Sequence, residues 1–303
     1  MASVTPTTNA QSVEFQPSET AMATALLRAL ATYDERVEIR GRDHLAYLFL
    51  SEERARALQD PARRKWVTQT KTKPGMYEFM VARTAFFDQT VEQGLQESIP
   101  QIVFLGAGYD TRPYRFQDQI KNARIFELDA LPTQARKQEI LRQANVPTPA
   151  QVTYVPINFN TDKLRDVLLQ AGFRAGQPTL FVWEGVTYYL PAQSVDETLR
   201  AIKSIAPVGS SVCFDYAALP LRTLSDDTAR RARGSMIREY PGEPTRFGIP
   251  AGTIEPFLAA RGYMVKEHLA PNEMELKYLT LRDGSTAGKL PELLCLVHAV
   301  VSS

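Results

Sequence analysis

Gly106, Gly108 and Asp129 are the residues whose types and spacing bear most directly on chemistry. An apolar run, Ile102, Val103, Phe104 and Leu105, stops abruptly at Gly106-Ala107-Gly108. A second apolar run, Ala123 to Leu128, ends in the acid Asp129. Strand, tight glycine turn, helix, strand, acid is the plan of a doubly wound nucleotide-binding sheet. The first glycine lets the chain leave the strand sharply. The second leaves bare backbone where a Cβ would occupy a ligand's space. Asp129 then stands where a ribose offers two hydroxyl donors. A G-x-G after a strand is also often just a turn, and an acid at a strand end can be a helix N-cap.

A dinucleotide fingerprint would carry a third glycine at position 111, where Thr111 stands. A pyrophosphate needs that close packing and the helix N-terminus behind it. A ligand with adenosine but no phosphate does not. S-adenosylmethionine is such a ligand, so the shortened motif favours it over NAD.

These residues need a frame, and alternating strands and helices supply one. Strands are expected over 101–105, 123–128, 151–157, 179–183 and 210–216. Helices are expected between them over 132–144, 161–171 and 192–206. This alternation predicts an α/β fold with a doubly wound, mostly parallel sheet. A helical block precedes it: 19–33 behind a Ser18 cap, two short helices within 43–70, and 76–97. The second short helix opens at Pro61, a favoured first-turn position. Met80, Val81, Thr84, Phe87, Val91 and Leu95 form the stripe of the longer one. Residues 217–250, rich in Arg, Pro and Gly, predict an insertion that is partly helical over 225–239. A helix over 253–261, a strand over 263–269 and an apolar strand within 292–301 then close the sheet. The expected organisation is a mobile tail over 1–17, with Phe15 tucked onto the body, and one domain over 18–303. That domain divides into a helical cap (18–98), a cofactor-binding core (99–216), a substrate-side insertion (217–250) and closing elements (251–303).

Bulk properties remove several function classes. Hydrophobic residues make up 44% and charged residues 23%, with a formal net charge of +1. That balance gives no electrostatic case for nucleic acid or an anionic membrane. Cys213 and Cys295 lie in apolar runs and read as buried reduced thiols. His44, His268 and His298 show no ligand spacing, so no metal site is expected. No apolar run reaches the roughly 18 residues of a membrane span, and no signal peptide is visible. A cytoplasmic location follows by default.

LGAGYDTRPYRF, FELDA-x-P with Lys137 further on, WEGVTYYLP, FDY and GIPAGTIEPFLAARGY follow one another in this chain. Together they resemble the leucine carboxyl methyltransferase-like family of class I S-adenosylmethionine-dependent methyltransferases, over roughly residues 75–265. The resemblance implies a seven-stranded sheet whose final strand runs antiparallel. It implies S-adenosylmethionine as cofactor, S-adenosylhomocysteine as product, and O-methylation of a protein C-terminus or of small-molecule acids in secondary metabolism. It places Arg83 on the cofactor's methionine carboxylate, which a planar guanidinium can bind bidentately; the plain alternative is an exposed helix arginine. It places Gly106, Ala107 and Gly108 at the backbone turn and Asp129 on the ribose. Glu184, ending the fourth strand, would face the cofactor's amino group or sulfonium, or else be a surface loop acid. Asn158-Phe159 stands where many members carry Asp-Leu beside the adenine. An amide can still pair with an adenine edge, and a phenyl ring can stack on it. Asp110, Thr111 and Arg112 match the family too, as a helix cap and a structural ion pair.

Methyl transfer from a sulfonium is an in-line displacement that asks the protein to align the acceptor and exclude water. A carboxylate is ionised at neutral pH and needs no general base, whereas a phenol does. No His-Asp pair or metal cluster is visible in the sequence, which leans toward a carboxylate. Tyr188, Tyr189 and Arg246 are the candidates for positioning an acidic acceptor. The tyrosines are equally readable as core packing, and Arg246 as a solvated loop charge. Lys71 and Lys73 could attract an acid or be a solvated pair. The expected activity is O-methylation of a carboxylate, or another oxygen, of a small acidic metabolite. The alternatives are a protein C-terminal carboxyl methyltransferase, a nicotinamide-dependent oxidoreductase, and a non-catalytic cofactor-binding protein.

Overall fold

A computed structural model describes residues 17–159, 161–219 and 246–303. Its centre is a sheet built from β1 (Gln101–Leu105), β2 (Arg124–Asp129), β3 (Val152–Pro156), β4 (Thr179–Trp183) and β5 (Ser211–Leu219). A two-residue β6 (Ile249–Pro250), β7 (Tyr263–Leu269) and β8 (Leu294–Val301) complete it. The order is β3-β2-β1-β4-β5-β8-β7, with β6 paired to β5 off this path. The first five strands pair in parallel. β8 is antiparallel to both β5 and β7. This is the expected doubly wound sheet with an antiparallel final strand, plus the short β6 that the sequence reading did not include.

β1 and β4 are buried along their whole lengths, as strands covered on both faces must be. Alternation sorts their side chains. Ile102 and Phe104 join one core with the Met76–Gln96 helix. Val103 and Leu105 join the other with the Leu164–Gln170 and Ala192–Ile205 helices. Strand order reverses between β1 and β4, and in open α/β sheets ligands bind beyond the strand ends at such a point. Gly106 follows β1 and Glu184 follows β4.

The Glu19–Ala31 helix opens as expected, with Ser18 Oγ accepting the Ala21 N–H at 3.0 Å. Pro61 opens the Pro61–Trp66 helix behind an Asp60 cap. A 3₁₀ turn (Ala46–Phe49) and the Glu52–Ala57 helix precede it, and a π turn (Val67–Lys71) continues it. All six stripe residues of the Met76–Gln96 helix are buried, and so are Arg83 and Asp88. A helix buried on so much of its circumference must find partners for its internal charges.

Three regions differ from the sequence expectation. The helix between β1 and β2 is only two short pieces, Arg112–Arg115 and Gln117–Ile120, so no long helix N-terminus backs the glycine turn. Residues 217–219 extend β5 and 249–250 form β6; the helix expected over 225–239 lies outside the described residues, as does Phe15. The Pro271–Tyr278 helix was not expected, although Pro271 at its first position and Glu273, whose Oε2 accepts the Ala270 N–H at 2.6 Å, are helix-start signals. Among the described residues no helix is long and apolar enough to cross a membrane.

Candidate active site

The glycine turn is shaped by left-handed backbone. Gly106 has φ +69° and Gly108 φ +48°, which side chains rarely adopt. The space beside them is not all left for a ligand. A Cβ on Gly106 would lie 2.5 Å from Val186 Cγ2, so that bare backbone accommodates the protein's own valine. A Cβ on Gly108 would meet Ala21 of the first helix at 3.4 Å, an ordinary contact. The ligand-clearance argument therefore gives way to a conformational one at both glycines.

Asp129, at the end of β2, folds its carboxylate toward this turn. Its Oδ2 accepts the Gly108 N–H at 2.5 Å and its Oδ1 the Ala130 N–H at 2.7 Å. The helix that follows, Leu131–Gln143, takes no side-chain cap, so Asp129 is not an N-cap. A carboxylate oxygen can accept from more than one donor, so these contacts are compatible with ribose hydroxyls at the same group.

Arg83 is 3% exposed, which excludes the exposed-arginine alternative. Its Nε lies 3.0 Å from Glu184 Oε1 and its Nη1 3.0 Å from Asp215 Oδ2. Tyr188 Oη accepts from Arg83 Nη1 at 3.2 Å and donates to Asp215 at 3.1 Å. Burial works against the Arg83 charge, but Glu184, Tyr188 and Asp215 more than offset it and its pKa rises. Burial pushes the Asp215 carboxyl up, opposed by Arg83. Asp215 is the site-associated residue that sequence reasoning gave no role. It sits in the quoted FDY motif, and an acid inside the apolar run Val212–Tyr216 was the available signal.

Glu184 is no surface acid either, because Arg112 Nη1 donates to its Oε2 at 2.7 Å. Arg112 also pairs with Asp110 at 2.5 Å, the expected ion pair, and with Asp88 at 2.8 Å. Asp88 binds Arg115, whose Nε lies 3.5 Å from Asp43, and Asp43 binds Arg28. Burial raises the Asp110 and Asp88 carboxyls less than their arginines lower them, so both end below the usual range. The result is a continuous buried ionic lattice from the N-terminal helix to the floor of the crevice.

Apart from Lys71 and Lys73, every residue expected at the site lines one cavity of about 230 Å³ at the switch point. Gly106, Ala107, Gly108 and Asp129 form one side, and Asn158 and Phe159 follow β3. Arg83, Glu184, Tyr188, Tyr189 and Arg246 form the rest of the wall. Tyr188 is buried, and the Arg246 N–H donates to its carbonyl at 2.6 Å. Ser18, Ala21 and Thr24 bring the first helix over the crevice.

Residues 21–203 match the family described as leucine carboxyl methyltransferase. The chain belongs to this family. YktD of Bacillus subtilis (strain 168), provisionally named an S-adenosyl-L-methionine-dependent methyltransferase, is 30% identical over 255 residues, covering 83% of this chain and 81% of its own. FRAAL3718 of Frankia alni, named in the same provisional way, is 29% identical over 237 residues, covering 74% and 78%. A solved structure from Thermobifida fusca YX, titled as a provisional methyltransferase, superposes with a TM-score of 0.56 at 14% identity over 95% of this chain and 96% of its own. That last likeness concerns the fold.

The chain is thus an S-adenosylmethionine-dependent methyltransferase, and its crevice suits the cofactor's amino-acid end. That end is a zwitterion, and Arg83 and Glu184 present opposite charges 3.0 Å apart. Arg83 Nε and Glu184 Oε1 are buried yet lack well-aligned hydrogen-bond partners. An ammonium on Glu184 and a carboxylate on Arg83 would satisfy both.

A second cavity, of about 570 Å³, adjoins the first. Leu26, Leu27, Leu58, Phe79 and Met80 supply apolar lining, and Thr20, Thr24, Arg83, Tyr188 and Tyr189 line both cavities.

Proposed function

We propose that this methyltransferase transfers its methyl group to a carboxylate oxygen of a small acid lodged in the second cavity. The observation that carries the reading is the composition of the wall common to both cavities. Among the described residues its polar groups are the Arg83 guanidinium, two phenols and two threonine hydroxyls, with no carboxylate or imidazole. Such a wall can orient an oxyanion but offers no direct base. Asp215, the partner of the Tyr188 hydroxyl, is fully buried and lines neither cavity.

S-adenosylmethionine, held by Arg83, Glu184 and Asp129, would supply an electrophilic methyl on a cationic sulfur that becomes neutral on transfer, and a carboxylate acceptor has no proton to give up. Arg83, held from behind by Asp215, fixes one side of this geometry. Tyr188 and Tyr189 contribute hydroxyls beside the acceptor, and the apolar lining keeps water away. Tyr188 is a poor proton donor, because burial and then Asp215 push its pKa well above the ordinary phenol value.

A hydroxyl acceptor is the second reading, favoured by the Tyr188–Asp215 hydrogen bond, through which a proton could pass. Methyl-tritiated S-adenosylmethionine offered with a panel of apolar acids and phenols separates the two. The carboxylate reading expects tritium in a product that alkali cleaves to volatile methanol. Label found only in alkali-stable ethers would replace it with the hydroxyl reading.

A further inference from the structure

Resting on the carboxylate reading, we propose that the acceptor is an elongated amphipathic dianion: a carboxylate at the Tyr188–Tyr189 wall, an apolar body, and a second anion at the cavity's outer end. The two ends of the second cavity differ in kind. Phe79, Met80, Leu58 and Arg83, at the inner end, are each under 4% exposed. Arg54, Arg63, Lys71 and Lys73, which line the same cavity, are all exposed and so mark its mouth. Among the described residues Glu53 is the carboxylate that lines this cavity, set against Arg54, Arg63 and Lys71 at its mouth. Among the described residues Arg54, Arg63 and Lys71 form no ion pair; Lys71 instead lies 4.9 Å over the ring of Trp66, itself 45% exposed. Like charges gathered at one opening repel one another, and an anion there relieves the repulsion.

The separation of the two ends sets the ligand's shape. Arg83 and Met76 lie seven residues apart on one helix, about 10 Å at 1.5 Å per residue, and Lys71 and Lys73 lie beyond Met76 in the chain. The lining between is apolar: Leu26, Val67, Met76 and Met80. A single-headed acid would satisfy one end and leave the other to water.

Dodecanedioate, dodecanoate and 12-hydroxydodecanoate test this as substrates of the full-length enzyme at saturating S-adenosylmethionine. The diacid should form its methyl ester with kcat/KM at least about tenfold above the monoacid, and the advantage should shrink as salt rises. Replacing the mouth charges (Arg63→Gln with Lys71→Gln) should bring the diacid down to the monoacid's level. Equal rates for the two acids, or a preference that survives the double substitution, would overturn the second anion while leaving carboxyl methylation standing. An alkali-stable ether formed on 12-hydroxydodecanoate would do the reverse, supporting the mouth anion and removing the carboxylate reading. If none of the three acids is methylated or bound while S-adenosylmethionine binds normally, the elongated dianion is wrong.

Discussion

Arg83 Nε and Glu184 Oε1 face each other at 3.0 Å on the crevice floor, each anchored from behind by a different partner. Asp215 holds the arginine and Arg112 holds the glutamate. The pair is therefore positioned before any ligand arrives, and a zwitterion can dock on it with little reorganisation.

Glu184→Gln tests the role of the pair. Removing that carboxylate should weaken S-adenosylmethionine and S-adenosylhomocysteine alike, by about tenfold or more (roughly 1.4 kcal/mol) in calorimetric titration, because both carry the same ammonium. A loss confined to S-adenosylmethionine would move Glu184 to the sulfonium.

Gly106→Ala should destabilise the fold for two separable reasons. Left-handed backbone costs a Cβ-bearing residue about 1–2 kcal/mol, and the new methyl meets Val186 Cγ2. Adding Val186→Ala should recover only the steric part, seen as a partial return of the denaturation midpoint. Full recovery would mean that the positive φ costs nothing here.

Arg112→Met should be more damaging. It leaves Asp88, Asp110 and Glu184 without their shared cation, and breaking a buried ion pair costs about 3–5 kcal/mol. Arg112→Lys should restore only part of this, because an ammonium cannot reach three carboxylates with the geometry of a guanidinium fork. Urea denaturation with both variants gives the comparison; a rescue to wild-type stability by lysine would show that charge alone matters.

The turn, the acid and the succession of strands along the chain were readable in the sequence because each rests on short-range pattern. Apolar runs fixed β1 and β4 to the residue, and the acids ending β2 and β4 followed from them. The lattice beneath was not readable. Arg83 and Asp215 are 132 residues apart, and Arg112 and Glu184 are 72 apart. Nothing local says that an arginine in an amphipathic helix and an acid in an apolar strand will meet. The Val186 contact on Gly106 was hidden for the same reason, and it changed the explanation of the glycine though not its place. Helix Pro271–Tyr278 is marked in the sequence, since its proline and glutamate are start signals.

His298 should impose an acid limit on stability. Burial, with a smaller push from Lys266, lowers its pKa from 6.5 to about 4. The unfolded chain therefore binds a proton that the folded one refuses between those values, so stability is full above pH 6.5 and falls as pH drops toward 4. The shift is equivalent to about 3 kcal/mol at most. Melting curves of wild type and His298→Gln across that range should converge toward acid, and parallel curves would count against the burial of a neutral imidazole.

Calorimetric titration of S-adenosylmethionine into wild type and Asp129→Ala tests the central claim most directly, that the cofactor lies across the glycine turn with its sugar on Asp129. Loss of two hydrogen bonds to a charged acceptor, about 1.5–3 kcal/mol each, should weaken binding by two orders of magnitude or more in a variant that still melts cooperatively. Undiminished affinity in a folded Asp129→Ala protein would place the ribose elsewhere and contradict the account.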